Sequence, residues 1–190
     1  MHLQAFLLSA LRSVTSGGRR YHLWMGALTA IMLAGGYAYL VQANHGLVVT
    51  GMNNHVSWGL YISNMAFLVG VAAAAVILVL PAYILHDVDF AKAVLIAEGV
   101  AVSALVMCLG FVMANSPGYP WKWWRLAPVI GLLNWPDSML AWDVIMLNGY
   151  LVLNLVIPFY ILYSHFVGRE PLKRKYLPFV YMSVFWAVSI

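Results

Sequence analysis

Long apolar stretches broken by short polar segments divide the chain into four complete runs and part of a fifth. They cover roughly residues 21–43, 58–85, 90–114 and 138–164. Each run is continuous, and each reaches or exceeds the ~20 residues a helix needs to cross ~30 Å of hydrocarbon. Spanning strands would instead show alternating segments of about ten residues. The pattern therefore predicts helices, which satisfy their own backbone hydrogen bonds as lipid requires. A further apolar run, 176–190, stops without a polar flank and predicts the start of a fifth helix, completed by more chain or by a partner. Ahead of the first run, residues 3–11 are expected to form a short interfacial helix.

Helical spacing orders the polar residues within these runs. In the fourth, Asp143, Leu147, Tyr150, Asn154 and Pro158 fall on one stripe. In the second, Tyr61, Asn64 and Leu68 are similarly related, with Trp58 one turn earlier. Gly70 and the four alanines at 72–75 offer a small-residue surface where another helix can come close.

Composition agrees with a lipid environment. Residues are 64% hydrophobic and 8% charged, against about 25% charged in soluble domains, and the mean hydropathy is +0.86. A soluble core of this size could not hide so much apolar side chain, because small domains leave much of their surface exposed. The expected fold is an all-α integral membrane protein, a four-helix transmembrane bundle plus the start of a fifth helix. Its segments are a cytoplasmic N-terminal segment (1–20), the bundle (21–165), a basic cytoplasmic loop (166–175) and the incomplete fifth helix (176–190). No internal repeat or low-complexity linker divides it.

Charge placement sets the orientation. Arg12, Arg19, Arg20, Lys92, Arg169, Lys173, Arg174 and Lys175 fall on one side if the four runs alternate, and only Lys122 and Arg125 on the other. The basic side is cytoplasmic by the positive-inside rule, so the net charge of +4 reflects topology, not an acidic or nucleic-acid partner. Arg19 and Arg20 precede a run too long for a signal core, with no small-residue cleavage site after it, and act as a topological anchor.

Few residues can carry redox or proton chemistry. The single cysteine, Cys108, lies inside the third run; iron–sulfur clusters need about four thiolates, so no cluster and no structural metal belongs to this chain. Among the six histidines, His22, His86 and His165 fall at cytoplasmic ends, and His45 and His55 in an outer loop. None lies at mid-membrane, where two facing imidazoles would clamp a b-type haem. Glu98 is more telling, roughly 12 Å from the inner end of its run at 1.5 Å per residue. Asp143 lies roughly 7 Å from the outer end of the fourth. A charge at the bilayer centre costs about 2.5–3.5 kcal/mol, so such acids face a cavity or a partner. Burial favours a carboxyl's neutral form, which suits proton exchange. The outer loops add Trp121, Trp123, Trp124 and Trp135, with Asn and His donors including His55. Aromatic walls with such donors suit a flat apolar ring bearing two carbonyl oxygens, as in a quinone.

The stretch Gly51-Met52-Asn53-Asn54-His55-Val56-Ser57-Trp58-Gly59-Leu60-Tyr61-Ile62 is followed by Leu68-Val69-Gly70-Val71-Ala72-Ala73. Together they resemble the NrfD/polysulfide-reductase membrane-subunit family. The run Asn134-Trp135-Pro136-Asp137-Ser138-Met139-Leu140-Ala141-Trp142-Asp143-Val144 adds to the likeness, which extends over roughly 40–165 and is strongest to the DsrP-type subunit of sulfur-metabolising redox complexes. The resemblance implies a quinone-interacting anchor, for menaquinone or another quinone, without haem, in a bacterial or archaeal cell membrane. It implies a peripheral iron–sulfur subunit and often cytochrome c as partners, and two four-helix bundles of which this chain supplies the first. It places the quinone pocket at the outer end of the second run: Trp58, Tyr61, Ile62, Asn64 and Met65, with Trp142 and Asp143 opposite and His55 in the adjoining loop. Ile62 and Met65 stand where some relatives carry a histidine and an asparagine. Glu98 and Asp143 are the available proton-transfer acids.

The chain is thus expected to be a subunit of a quinone-dependent oxidoreductase and not an enzyme alone. A b-type cytochrome with haem near the cytoplasmic side, and a non-redox transporter or structural anchor, are the rivals. The charge split gives a direct topological test. In whole cells, an impermeant thiol reagent is expected to label Ser116→Cys and to spare Lys173→Cys, and the reverse pattern would invert the orientation.

Overall fold

The computed structural model describes residues 2–53, 55–56, 59–79, 88–115, 124–125 and 134–189. Among these, six helices follow one another: α1 (His2–Thr15), α2 (Arg19–His45), α3 (Leu60–Val79), α4 (Val88–Asn115), α5 (Met139–Phe166) and α6 (Lys173–Ser189). A 3-10 turn, Leu47–Thr50, links α2 to α3. Arg19–His45, Ala93–Ala114 and Met139–Phe166 are long and apolar enough to cross a membrane, and Leu60–Ala75 of α3 is a shorter apolar helix. The chain is an all-helical, multi-pass membrane protein. The short helix expected over residues 3–11 is α1. Of the second expected run, 58–85, Trp58 and positions 80–85 lie outside the described residues. The fifth expected helix begins at Lys173, so Lys173, Arg174 and Lys175, expected in a loop, form its first turn, while Arg169 precedes it.

Local chemistry ends the helices where the pattern expects. Gly46, at φ 78°, closes α2 with its N–H on the Gln42 carbonyl at 2.7 Å. Gly168, at φ 72°, closes α5, with its N–H on His165 and the Arg169 N–H on Ser164. Both sit in the positive-φ region that glycine enters without strain. Ser138 starts α5, its side-chain oxygen accepting the Ala141 N–H. In the α2–α3 loop, the Asn53 side chain accepts the His55 and Val56 N–H groups at 2.8 and 2.9 Å.

Packing is closest between α3 and α4, along a seam of small side chains. Ala72 and Ala75 from α3 and Ala97, Ala101 and Ala104 from α4 are all buried. With no large side chain between them, the backbones approach closely, which is how helices associate in lipid. α5 closes over this pair: Leu147 and Tyr150 join Leu68, Ala72, Leu105 and Cys108 in one core. The Tyr150 hydroxyl crosses to donate to the Ala72 carbonyl at 3.2 Å. α6 packs along α5 through Val180, with Ile157 and Ile161, and through Trp186, whose indole N–H donates to the Met146 carbonyl at 2.8 Å. Gly149 makes room there, because a Cβ would overlap the Trp186 ring. At the end of the bundle holding the C-terminus of α5, Phe6 of α1 packs edge-on against Phe159, Tyr163 and Phe166. α2 stands at the periphery, with Trp24 70% and Met32 76% exposed, and touches the bundle mainly near its own C-terminus.

The alanine seam supports a stability prediction. Ala101→Leu inserts three heavy atoms at a fully buried position, an overpacking cost of about 1–3 kcal/mol. Thermal unfolding in detergent is expected to show a clear loss for Ala101→Leu and parent behaviour for Val106→Leu, which lies on the exposed face of α4. Equal midpoints for all three would remove the seam as the organising contact.

Candidate functional site

The polar contact that fixes α2 begins at a helix end. Ala114 lies in the last turn of α4, where carbonyls have no N–H partner within the helix. Gln42, only 5% exposed near the C-terminus of α2, supplies one: its Nε2 donates to the Ala114 oxygen at 3.0 Å. The other end of the amide, Oε1, accepts from the Tyr61 phenol in the first turn of α3. One buried amide thus ties three helices together, and both of its ends are satisfied as burial demands.

A crevice of about 1000 Å³ opens beside this tie, between α2, the 3-10 turn, α3 and α4. Its polar side chains include Tyr61, Gln42, Tyr39 and Thr50. The Phe111 ring lines it, 5.8 Å from that of Tyr61. Gly35 and Gly110 form part of the wall, and a Cβ at either would meet nothing. Aromatic and glycine surfaces leave space for a flat ring, and the Tyr61 hydroxyl and Gln42 amide lie together beside it.

The sequence-predicted pocket residues divide over several surfaces. Tyr61 belongs to this crevice. Met65, Trp142 and Asp143 line a second cavity of about 300 Å³ against α5. There the Trp142 indole donates to the Pro136 carbonyl at 2.8 Å, and its ring packs on Trp135. Asn64 is exposed, and its amide donates to Leu60 one turn earlier in its own helix. Ile62 is half-buried, His55 is exposed, and Trp58 lies outside the described residues. Gln42 is not among the expected residues, although a lone amide inside the first apolar run is a signal that could have found it.

Glu98 stands apart from both cavities. It is 1% exposed and lines a third cavity of about 740 Å³ between α4 and α5, with Asn154, Pro158 and Tyr160. Pro158 has no N–H to offer the Asn154 carbonyl, and the Asn154 side chain donates to the Tyr150 carbonyl at 2.9 Å. Thirteen positions separate Glu98 from Phe111 on α4, about 20 Å along the helix, so the acid and the aromatic crevice occupy opposite halves of the bundle.

The fold and these interhelical polar sites define a helical membrane protein with ligand-sized crevices. A family model described as Polysulphide reductase, NrfD matches residues 48–189, and the chain belongs to that family. It is similar to a putative dimethyl sulfoxide reductase membrane subunit of Halobacterium salinarum, at 29% identity over 132 residues, covering 67% of this chain and 29% of that protein. It is similar also to a selenate reductase subunit of Mesobacillus selenatarsenatis, at 22% identity over 147 residues, covering 77% of this chain and 33% of that protein. The chain therefore spans about a third of the length of these curated relatives. No solved structure matches it.

The three-helix tie is open to test by substitution. Gln42→Leu keeps the side chain's bulk but strands the Ala114 carbonyl and the Tyr61 hydroxyl, at about 1–3 kcal/mol for each group left unsatisfied. The expected outcome is a lower thermal midpoint together with faster proteolysis in the 46–59 loop. Parent values for both would show that α2 is held by other contacts.

Proposed function

We propose that this chain is the quinone-interacting membrane subunit of an oxidoreductase complex, exchanging electrons between the quinone pool and a peripheral iron–sulfur subunit. Family membership supports this reading, as do the two relatives, whose names describe them as subunits of reductases. The observation that carries it is the crevice at Tyr61 and Gln42. Its volume falls in the range of small-molecule sites, and its wall is apolar with a few convergent polar groups. Those residues fit a quinone ring: Phe111 and the Tyr61 ring offer aromatic surface, Gly35 and Gly110 leave the wall flat, and Tyr61 and Gln42 would hold the oxygen edge. A bound quinone supplies two-electron, two-proton redox chemistry at its ring oxygens.

The remaining site residues have proposed roles around that crevice. Ile62 and His55 are proposed to shape its entrance, whereas Asn64 faces outward and bonds within its own helix. Asp143, which lines the neighbouring cavity with Trp142 and Met65, is the proposed proton-transfer acid of this half, and Glu98 serves the opposite half. With the N-terminus cytoplasmic, the crevice lies on the outer side of a bacterial or archaeal cell membrane, where cytochrome c partners are reached. Menaquinone or another quinone is the proposed pool quinone, and the chain is proposed to supply the first of two bundles.

Gly110→Phe tests the site by filling it from a position where a Cβ meets no neighbour. Overpacking the wall against a ligand costs about 1–3 kcal/mol, roughly five- to 150-fold in affinity. The assembled Gly110→Phe complex is expected to bind a menaquinone analogue that much more weakly and to turn over quinol more slowly. Gly26→Phe, on α2 away from the crevice, is expected to match the parent. Asp143→Asn is expected to slow turnover more than it weakens binding. Parent affinity and rate in Gly110→Phe would place the quinone elsewhere.

A further inference from the structure

We propose that the crevice selects the reduced, hydroquinone form of its ligand over the oxidised quinone, because Tyr61 presents a hydrogen-bond acceptor to it. The proposal rests on the quinone-site reading above and adds to it a preference for one redox state.

The Ala114 carbonyl can only accept a hydrogen bond. The Gln42 group facing it at 3.0 Å must therefore be the NH2, which fixes the orientation of the amide. Oε1 then points the other way, toward Tyr61, and it too can only accept. Between Gln42 and Tyr61 the phenol must be the donor. A phenol has one proton, and here it is committed to Gln42, so what Tyr61 can offer the crevice is oxygen lone pairs. Thr50, on the same wall, is set in the same way: its hydroxyl donates to the Leu47 carbonyl at 2.6 Å.

Quinone and hydroquinone differ in the hydrogen-bonding role of their ring oxygens. A quinone carbonyl accepts and cannot donate, so against the Tyr61 oxygen it would set acceptor against acceptor. A hydroquinone O–H donates, and it completes a relay from the ring hydroxyl to Tyr61 and from Tyr61 to the Gln42 carbonyl, while the Gln42 NH2 remains on Ala114. Each link polarises the next. Turning the Tyr61 proton into the crevice would leave Gln42 Oε1 without its donor in a buried position, which opposes the switch. Tyr37 and Tyr39, also on the wall, carry hydroxyls that can donate or accept and so serve either form. Selection falls to Tyr61.

The test uses the assembled complex under anaerobic conditions with a short-chain naphthoquinone and its naphthohydroquinone as probes. The quinone is titrated into oxidised complex and the hydroquinone into fully reduced complex, so that no electrons move, and binding is followed by calorimetry. The parent is expected to bind the hydroquinone several-fold to roughly tenfold tighter, the worth of one hydrogen bond. Tyr61→Phe keeps the ring against Phe111 and is expected to abolish the preference by weakening the hydroquinone alone. Gln42→Leu, where it assembles, frees the phenol proton and is expected to narrow or invert the ratio. Equal parent affinities for the two forms, both lost in Gly110→Phe, would overturn the redox preference and leave the site reading standing. A preference that survives Tyr61→Phe would overturn it as well. Binding of either form that is insensitive to Gly110→Phe would overturn the site reading, and the proposal with it.

Discussion

Hydrocarbon offers no hydrogen-bond partner, so a polar group carried into it has to be matched by another group of the protein. Several side chains meet that demand in the same way, among them three that each donate to a backbone carbonyl of another helix of the bundle. Gln42 joins α2 to α4 through Ala114, Tyr150 joins α5 to α3 through Ala72, and Trp186 joins α6 to α5 through Met146. A carbonyl has two lone pairs, so one already used within its own helix can still serve a neighbour. These bonds give direction to a packing that apolar contact alone would leave loose, since lipid tails are as apolar as the side chains they touch. The alanine seam between α3 and α4 supplies the close approach, and the carbonyl bonds set which helices meet and at what height.

The same constraint shapes the sites. Where Gln42 answers the open end of α4, it also fixes the hydrogen-bonding role of Tyr61, so a structural tie becomes a chemical property of the crevice beside it. In the other half of the bundle, Pro158 removes a backbone donor close to Glu98 and Asn154, leaving a polar patch on a cavity that is otherwise mostly apolar. An aromatic crevice at one end and a buried acid about 20 Å away along α4 make a division of labour between ligand binding and proton transfer physically reasonable.

Much of this architecture could be read from the sequence, for identifiable reasons. Continuous apolar runs, not alternating ones, fixed the helical class and the approximate bounds of α2, α4 and α5. The alanines at 72–75 announced the close face of α3, and the stripe through Leu147, Tyr150 and Asn154 announced the buried face of α5. The motif around Trp58-Gly59 carried the family. Harder to read was which neighbour covers which flank. Tyr61 and Met65 share a face by spacing, yet adjacent residues of α4 separate their surroundings: Phe111 packs with Tyr61, and Val112 with Met65 and Val144. Asn64, about 60° away from Tyr61 on the helix, turns outward. Gln42 stands out as a lone amide, but its partners were illegible for another reason. Its role depends on Tyr61 and Ala114, 19 and 72 positions distant, and spacing within one helix carries no information about such partners.

The central claim is that a quinone ring sits among Tyr61, Gln42 and Phe111. A structure of the assembled complex with a bound quinone analogue tests it most directly. The account predicts ring density in the crevice between α2, α3 and α4, with a ring oxygen in hydrogen-bonding reach of Tyr61. Density between α4 and α5 beside Glu98, or against Trp142 and Asp143 with the crevice filled by lipid, would contradict it.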